Sequence, residues 1–121
     1  MAQGFNKKGQ LRETPRQHAI LEALAIKGIL AWRNQKGIIP IRRGRAIVGQ
    51  RKGDKWTNGM PDILAIHRGV FIGIEVKTED GVQSDDQKRW QASIEQAGGL
   101  YILAVSWDDV EKSMTRHFGR F

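Results

Sequence analysis

The chain has no cysteine among its 121 residues. Disulfides and thiolate zinc sites are thereby excluded, and the composition fits a reducing cytosol. Nowhere do about 18 apolar residues run together, the length a membrane helix needs. The opening residues, Met1 to Lys8, hold no apolar stretch of the kind a secretory signal carries. There is no internal repeat, no interdomain linker and no basic amphipathic helix, so a single domain is expected and a membrane-surface role is not. Acids are also scarce. Thirteen Asp and Glu stand against 20 Lys and Arg, giving a net charge of +7. Such a surplus favours a polyanionic partner, most often nucleic acid.

Hydrophobic spacing predicts a small α/β domain over residues 14–115. Residues 1–13 are polar and aperiodic and read as a flexible arm. Thr14-Pro15-Arg16-Gln17 reads as a helix start, with Thr14 as cap, Pro15 at the first helical position and Gln17 closing a capping box. Ala19, Ile20, Leu21, Leu24 and Ala25 supply the apolar face, and Lys27-Gly28 the end. Residues 29–33 read as a strand with Trp32 in the core. Residues 42–55 hold Arg42, Arg43, Arg45, Arg51, Lys52 and Lys55 against one acid, Asp54, and with three glycines they read as a loop or loose hairpin. Residues 61–67 and 70–78 are the clearest strands, joined by a two-residue turn, Arg68-Gly69. Ser84 is placed to cap the next helix, on which Trp90, Ile94 and Ala97 recur at helical spacing before Gly98-Gly99. Residues 100–105 form a wholly apolar strand, expected to be buried on both faces. A short helix over 107–114 and a basic, aromatic tail over 116–121 complete the chain. Helix, strands, helix, strand, helix implies layers around a small mixed sheet.

Three charges fall inside the predicted sheet core: Asp62, after Gly59-Met60-Pro61, and Glu75 and Lys77, in Ile74-Glu75-Val76-Lys77. Buried charge is costly unless paired or metal-bound. A two-residue turn pairs His67 with Val70, and counting back along both strands sets Asp62 opposite Glu75. Cross-strand neighbours have Cβ atoms about 4.5 to 5.5 Å apart. Alternation puts Lys77 on the face of Glu75 and turns Ile63, Ile74 and Val76 to the other. Two adjacent carboxylates repel when both are ionised, and a divalent cation between them removes the conflict. Oxygen donors, with no cysteine and no histidine cluster, favour Mg²⁺ or Mn²⁺ over zinc. Such a cation polarises a phosphoryl oxygen and acidifies water, which Lys77 is placed to orient or deprotonate, or else Lys77 stabilises charge on the phosphorane. The competing reading is a buried ion pair of Lys77 with Glu75 or Asp62. The proline before Asp62 and the registering turn favour the metal site. Gln87 lies one and two turns before Trp90 and Ile94, and reads equally as a cap and as an active-site residue. By helix spacing alone Glu22 is an exposed helix glutamate. The cations of 42–55 read as a grip on phosphates, which positions a nucleic acid without reading its sequence.

Glu22, Gly59-Met60-Pro61-Asp62, Ile74-Glu75-Val76-Lys77 and Ser84-Asp85-Asp86-Gln87-Lys88 together make residues 15–106 resemble the PD-(D/E)XK nuclease superfamily, and within it the virus-type replication-repair nuclease (VRR-NUC) branch. The resemblance implies a restriction-endonuclease-like core, a small central mixed sheet flanked by helices. It implies Mg²⁺ or Mn²⁺ held by Asp62, Glu75 and the Val76 backbone carbonyl, with Glu22 as a further contributor. It also implies an active-site role for Gln87, beside Lys88 on the DNA-facing side. Members of this branch act on structured DNA such as flaps and four-way junctions, and minimal stand-alone forms resemble phage-encoded, dimeric junction resolvases. The implied function is a metal-dependent endonuclease resolving Holliday junctions as a homodimer, in the cytoplasm of a bacterial or phage-infected cell. A flap or linear-duplex nuclease on the same fold and a non-catalytic DNA-binding module are the alternatives.

Overall fold

Residues 4–34, 38–52 and 57–121 are described in the computed structural model, with side chains described for all of these but 38–40 and 50–52. The elements are α1 (Glu13–Ile26), β1 (Leu30–Arg33), β2 (Ile38–Arg43), β3 (Ala46–Lys52), β4 (Ile63–His67), β5 (Val70–Val76), α2 (Asp85–Gln96), β6 (Leu100–Ala104) and α3 (Trp107–Phe118). The Arg68-Gly69 turn sets the central register. Both residues have positive φ, 51° and 78°, the backbone of a turn whose twist suits a two-residue hairpin. It pairs His67 with Val70 and Ile63 with Ile74, the register the sequence predicts. β1 joins β4 on one side, antiparallel, and β6 joins β5 on the other, parallel, giving a mixed four-stranded sheet in the order β1-β4-β5-β6.

Alternation divides the sheet's two faces. Ile63, Ala65, Ile72, Ile74, Val76, Ile102 and Ala104 pack with Ile20 and Leu24 of α1 and Val110 and Met114 of α3. The opposite face carries Leu64, Gly73, Glu75 and Tyr101, and α2 packs on its β5 and β6 side. Gly73 permits the close layer. A Cβ there would lie 2.7 Å from Cγ of Pro61 and 3.0 Å from Cδ1 of Ile94. Trp32, expected in the core, is instead 42% exposed, because α2 does not reach across to β1. Leu103 is 47% exposed although α2 packs on the same face of β6, so β6 is not buried on both faces along its length.

Three further differences have local causes. α1 begins at Glu13, with Arg12 as an N-cap that makes no side-chain cap bond. Thr14 and Pro15 lie inside the first turn, where a missing N–H costs nothing. Gln17 closes no box, because its Oε1 accepts from Nε of Arg33 at 2.8 Å. Residues 4–12 fold back: Phe5 bridges Leu11, and Arg12 N–H bonds the Gly4 carbonyl at 2.7 Å. At the other end α3 runs to Phe118 rather than Met114, since Phe118 and Phe121 pack on the core and Phe118 stands edge-on to His67. Arg68 donates to the carbonyls of Phe118 and Arg120.

β2 and β3 form a separate antiparallel hairpin whose chief contacts are with each other. Its register shifts between Ile41 and Arg42, which face Gly49 and Ile47 and leave Val48 as the extra residue of a bulge.

Gly73→Ala should lower stability by about 1 to 3 kcal/mol, the usual cost of overpacking a tight layer. Urea unfolding checks this, and an unchanged midpoint would mean that Pro61 and Ile94 do not clamp the strand.

Candidate active site

The site begins where the β4–β5 ladder ends. Ile63 and Ile74 are register partners, so the next bonding position pairs Pro61 with Val76. Proline has no N–H to return to the Val76 carbonyl. The Val76 N–H, in turn, donates to Oδ2 of Asp62 at 2.8 Å. The carboxylate of Asp62 thus takes a place that a backbone carbonyl would fill in a longer ladder. Asn34, just past β1, braces the other side: its N–H donates to the Asp62 carbonyl at 2.8 Å and its Nδ2 to the Pro61 carbonyl at 3.3 Å. Extending the register by one residue sets Asp62 beside Glu75. Both are buried, at 9% and 2% exposure. Gly59 completes the approach. Its φ is +84°, and a Cβ there would lie 2.5 Å from the backbone of Asp86, so the first turn of α2 sits directly on the Gly59-Met60-Pro61 bend.

Lys77 follows immediately. Its N–H bonds the Ala104 carbonyl at 2.9 Å, continuing the β5–β6 pairing, and its side chain is half-buried on the face of Glu75. The loop beyond it lies over the Lys77 stem at Gly81 and is tied down by two acids. Glu79 takes both oxygens to Nη2 of Arg16 at 3.0 Å, and Asp80 pairs with Lys8. A hydrogen bond to its own backbone, then the Arg16 guanidinium, holds the Glu79 carboxyl below its ordinary range. Hydrogen bonding to Lys8 likewise lowers Asp80, and Asp80 raises Lys8. Arg16 is itself buried. Nε donates to the Leu11 carbonyl at 2.6 Å and Nη1 to the Val105 carbonyl at 3.0 Å.

The other expected residues are distributed as follows. Gln87 closes a capping box: Ser84 Oγ accepts from the Gln87 N–H at 3.2 Å, and Gln87 Oε1 accepts from the Ser84 N–H at 2.8 Å. Lys88 is exposed on the same turn. Glu22 is exposed on α1. It lies two positions past the buried Ile20, about 200° around the helix, and among the described residues no three acidic or histidine side chains gather as a metal site. The geometry therefore does not bring Glu22 to Asp62 and Glu75. Arg42, Arg43 and Arg45 are exposed at the turn end of the hairpin. The side chains of Arg51 and Lys52, and all of Lys55, lie outside the described residues.

Sequence reasoning passed over Asn34, Arg16 and Tyr101. Tyr101 is the one tyrosine of the chain, buried on the α2 face beside Gly73. Its Oη accepts from Nε2 of Gln83 at 3.1 Å, which also donates to Oε1 of Gln91, and Gln91 donates to Glu95. The signal was there in a lone phenol within an apolar strand. Burial first, and then the negative charge of Glu75 and Asp62, pushes its pKa up to about 12. A folded-state pKa above the unfolded value of about 10 makes the neutral phenol a stabilising form. That stability is complete below about pH 10 and is lost as pH rises toward 12. Absorbance at 295 nm should show a single tyrosinate transition with a midpoint near 12 in the folded protein and near 10 in urea. Equal midpoints would place Tyr101 in water.

No protein-family model matches the chain, and no curated protein matches it. A solved structure described as "VRR_NUC domain" superposes with a TM-score of 0.58 at 24% sequence identity, over 88% of this chain and 96% of that one. At that similarity the two share a fold, and the mixed sheet flanked by helices in this chain is accordingly the restriction-endonuclease-like α/β fold of a VRR_NUC domain.

Proposed function

We propose that the chain belongs to the VRR-NUC family and is a Mg²⁺- or Mn²⁺-dependent endodeoxyribonuclease that resolves four-way DNA junctions as a homodimer. The observation that carries the reading is the ladder end at Pro61. It combines two buried carboxylates, Asp62 and Glu75, with a Val76 carbonyl that Pro61 cannot meet, and with Lys77 on the same face. This donor set fits a small hard cation. Mg²⁺ is typically held by one or two carboxylates and keeps several waters, and two carboxylates with one carbonyl leave positions for them. Asp62, Glu75 and the Val76 carbonyl would hold the ion. When bound it supplies Lewis acidity to a phosphoryl oxygen and to water.

The protein's own groups do the rest. Asp62 is oriented by the Val76 N–H and Glu75 by burial within the sheet. Lys77, its stem covered by the loop at Gly81, presents Nζ to the attacking water and to charge developing on the phosphate oxygens. In-line attack leaves a 5′-phosphate and a 3′-hydroxyl. Gln87 spends its carbonyl oxygen in the capping box, which leaves its amide N–H groups as donors toward the substrate. The surplus of cations supports a nucleic-acid substrate, bound chiefly through phosphates. Self-association is supported by an apolar row on the half of the α2 face that α2 leaves open. Leu30, Ile66 and Phe71 are direct register partners and all exposed, the kind of patch that marks an interface. A twofold dimer suits the two symmetric cuts of a junction. The absence of cysteine supports action in a reducing cytoplasm.

Purified protein should cut a labelled four-way junction with Mg²⁺ or Mn²⁺ and not with EDTA, ahead of flap and linear duplex. Asp62→Asn, Glu75→Gln and Lys77→Met should each lower the rate by about 10²-fold or more. Mn²⁺ should raise the melting temperature of the wild type and leave that of the Asp62→Asn/Glu75→Gln protein unmoved. Tight binding of DNA without any metal-dependent cutting would instead identify a binding module, and a carboxylate variant that cuts like the wild type would overturn the site.

A further inference from the structure

The hairpin Ile38–Lys52 has no part in the chemistry above, and its composition is unusual. Its strands pack chiefly on each other, yet Ile41, Ile47 and Val48 are 42%, 59% and 58% exposed. Ile47 and Val48 are consecutive, at the bulge where the register shifts. Bulges re-aim side chains and raise the local twist. Immediately around them Arg42, Arg43 and Arg45 are exposed, and the sequence from Ile38 to Lys52 holds five cations and no acid. The hairpin also has a defined origin. The chain departs after Asn34 and returns before Asp62, and these two residues are hydrogen-bonded to each other at the site.

We infer that this hairpin is a wedge: its apolar bulge, Ile47 and Val48, inserts at a weakly stacked base step of branched DNA and opens it, while Arg42, Arg43 and Arg45 hold the flanking phosphates. The inference rests on the nuclease reading and adds the element that selects the substrate. A two-stranded ribbon has the width that the major groove admits. Apolar wedges, isoleucine among them, enter where stacking is already weak, because unstacking an intact step costs a few kcal/mol. The stacks at a branch point open at lower cost than those inside a duplex, so the same contact favours junction over duplex. The charge decides between occupants. A run of five cations without an acid repels its own copy and attracts a polyanion, and DNA offers both phosphates for the arginines and apolar base faces for the bulge.

The test is binding without cutting, in Ca²⁺, to a four-way junction carrying 2-aminopurine at the branch and to a linear duplex of the same sequence. Wild-type protein should bind the junction about tenfold or more tighter than the duplex, and should brighten the 2-aminopurine as the base leaves its stack. The Ile47→Ser/Val48→Ser protein should keep its duplex affinity within about twofold, lose the junction preference and give no brightening. Arg42→Ala/Arg43→Ala/Arg45→Ala should weaken binding to both and reduce the salt slope by about 2 to 3. An unchanged junction-to-duplex ratio in the serine variant overturns the wedge while leaving the nuclease intact, provided the wild type still cuts. A serine variant that sediments as a smaller species than the wild type also overturns it, since the bulge would then serve a second copy. A wild type that neither binds nor cuts DNA overturns both readings.

Discussion

Pro61 has no N–H, and the antiparallel ladder between β4 and β5 stops there. A buried N–H left without a partner costs about 1 to 3 kcal/mol, so the Val76 N–H must be met some other way. Asp62 meets it at 2.8 Å. One constraint therefore fixes three things: the direction of the Asp62 carboxylate, the presence of a backbone carbonyl at Val76 that the ladder does not claim, and the placement of Glu75 next to both. Pro61 acts a second time through its ring, which lies over Gly73 with Ile94 and so locks α2 to the same bend. The Gly-Met-Pro-Asp segment thus stops the ladder and, on the proposed reading, supplies the chemical site as well.

Lys77 depends on a different anchor. Exposed ion pairs contribute little, but Arg16 is buried, and a buried guanidinium is tolerable only with its donors met. Leu11, Val105 and Glu79 meet them. These partners come from the N-terminal turn, the end of β6 and the loop after Lys77. Arg16 therefore ties the loop covering the Lys77 stem to the strand end against which the Lys77 backbone is bonded. A change in α1 would be felt at Lys77 through this clamp without touching it.

What the sequence made legible follows from the range of the forces. The β4–β5 register and the Ser84 capping box are set by residues adjacent in the chain, Arg68-Gly69 in one case and Ser84 to Gln87 in the other, and both stand as expected. The start of α1 did not follow the local signal. Thr14 and Gln17 offered a capping box, but Arg33, from the next element, claimed Gln17. Glu22 is exposed, as its helix spacing predicts, whereas Trp32 departs from expectation because how far a helix reaches over a sheet is a tertiary fact that spacing within one element does not contain. The hairpin was legible as a basic, glycine-bearing segment, whereas its bulge, which exposes two consecutive apolar residues, depends on pairing that only the folded register sets.

The charge distribution bears on the nuclease reading as a whole. The chain carries +7 overall, yet the face on which its site lies presents two carboxylates, Asp62 and Glu75, near the half-covered edge where Leu103 is exposed. A phosphate drawn toward this basic chain would meet repulsion at the two carboxylates. Coulomb repulsion between close charges grows as water is excluded and the local dielectric drops. A divalent cation held by Asp62 and Glu75, as the proposed function has it, would reverse the sign at that point and supply attraction for a phosphate. On the proposed reading, DNA held by the chain's excess of cations would be seated productively only with the metal in place.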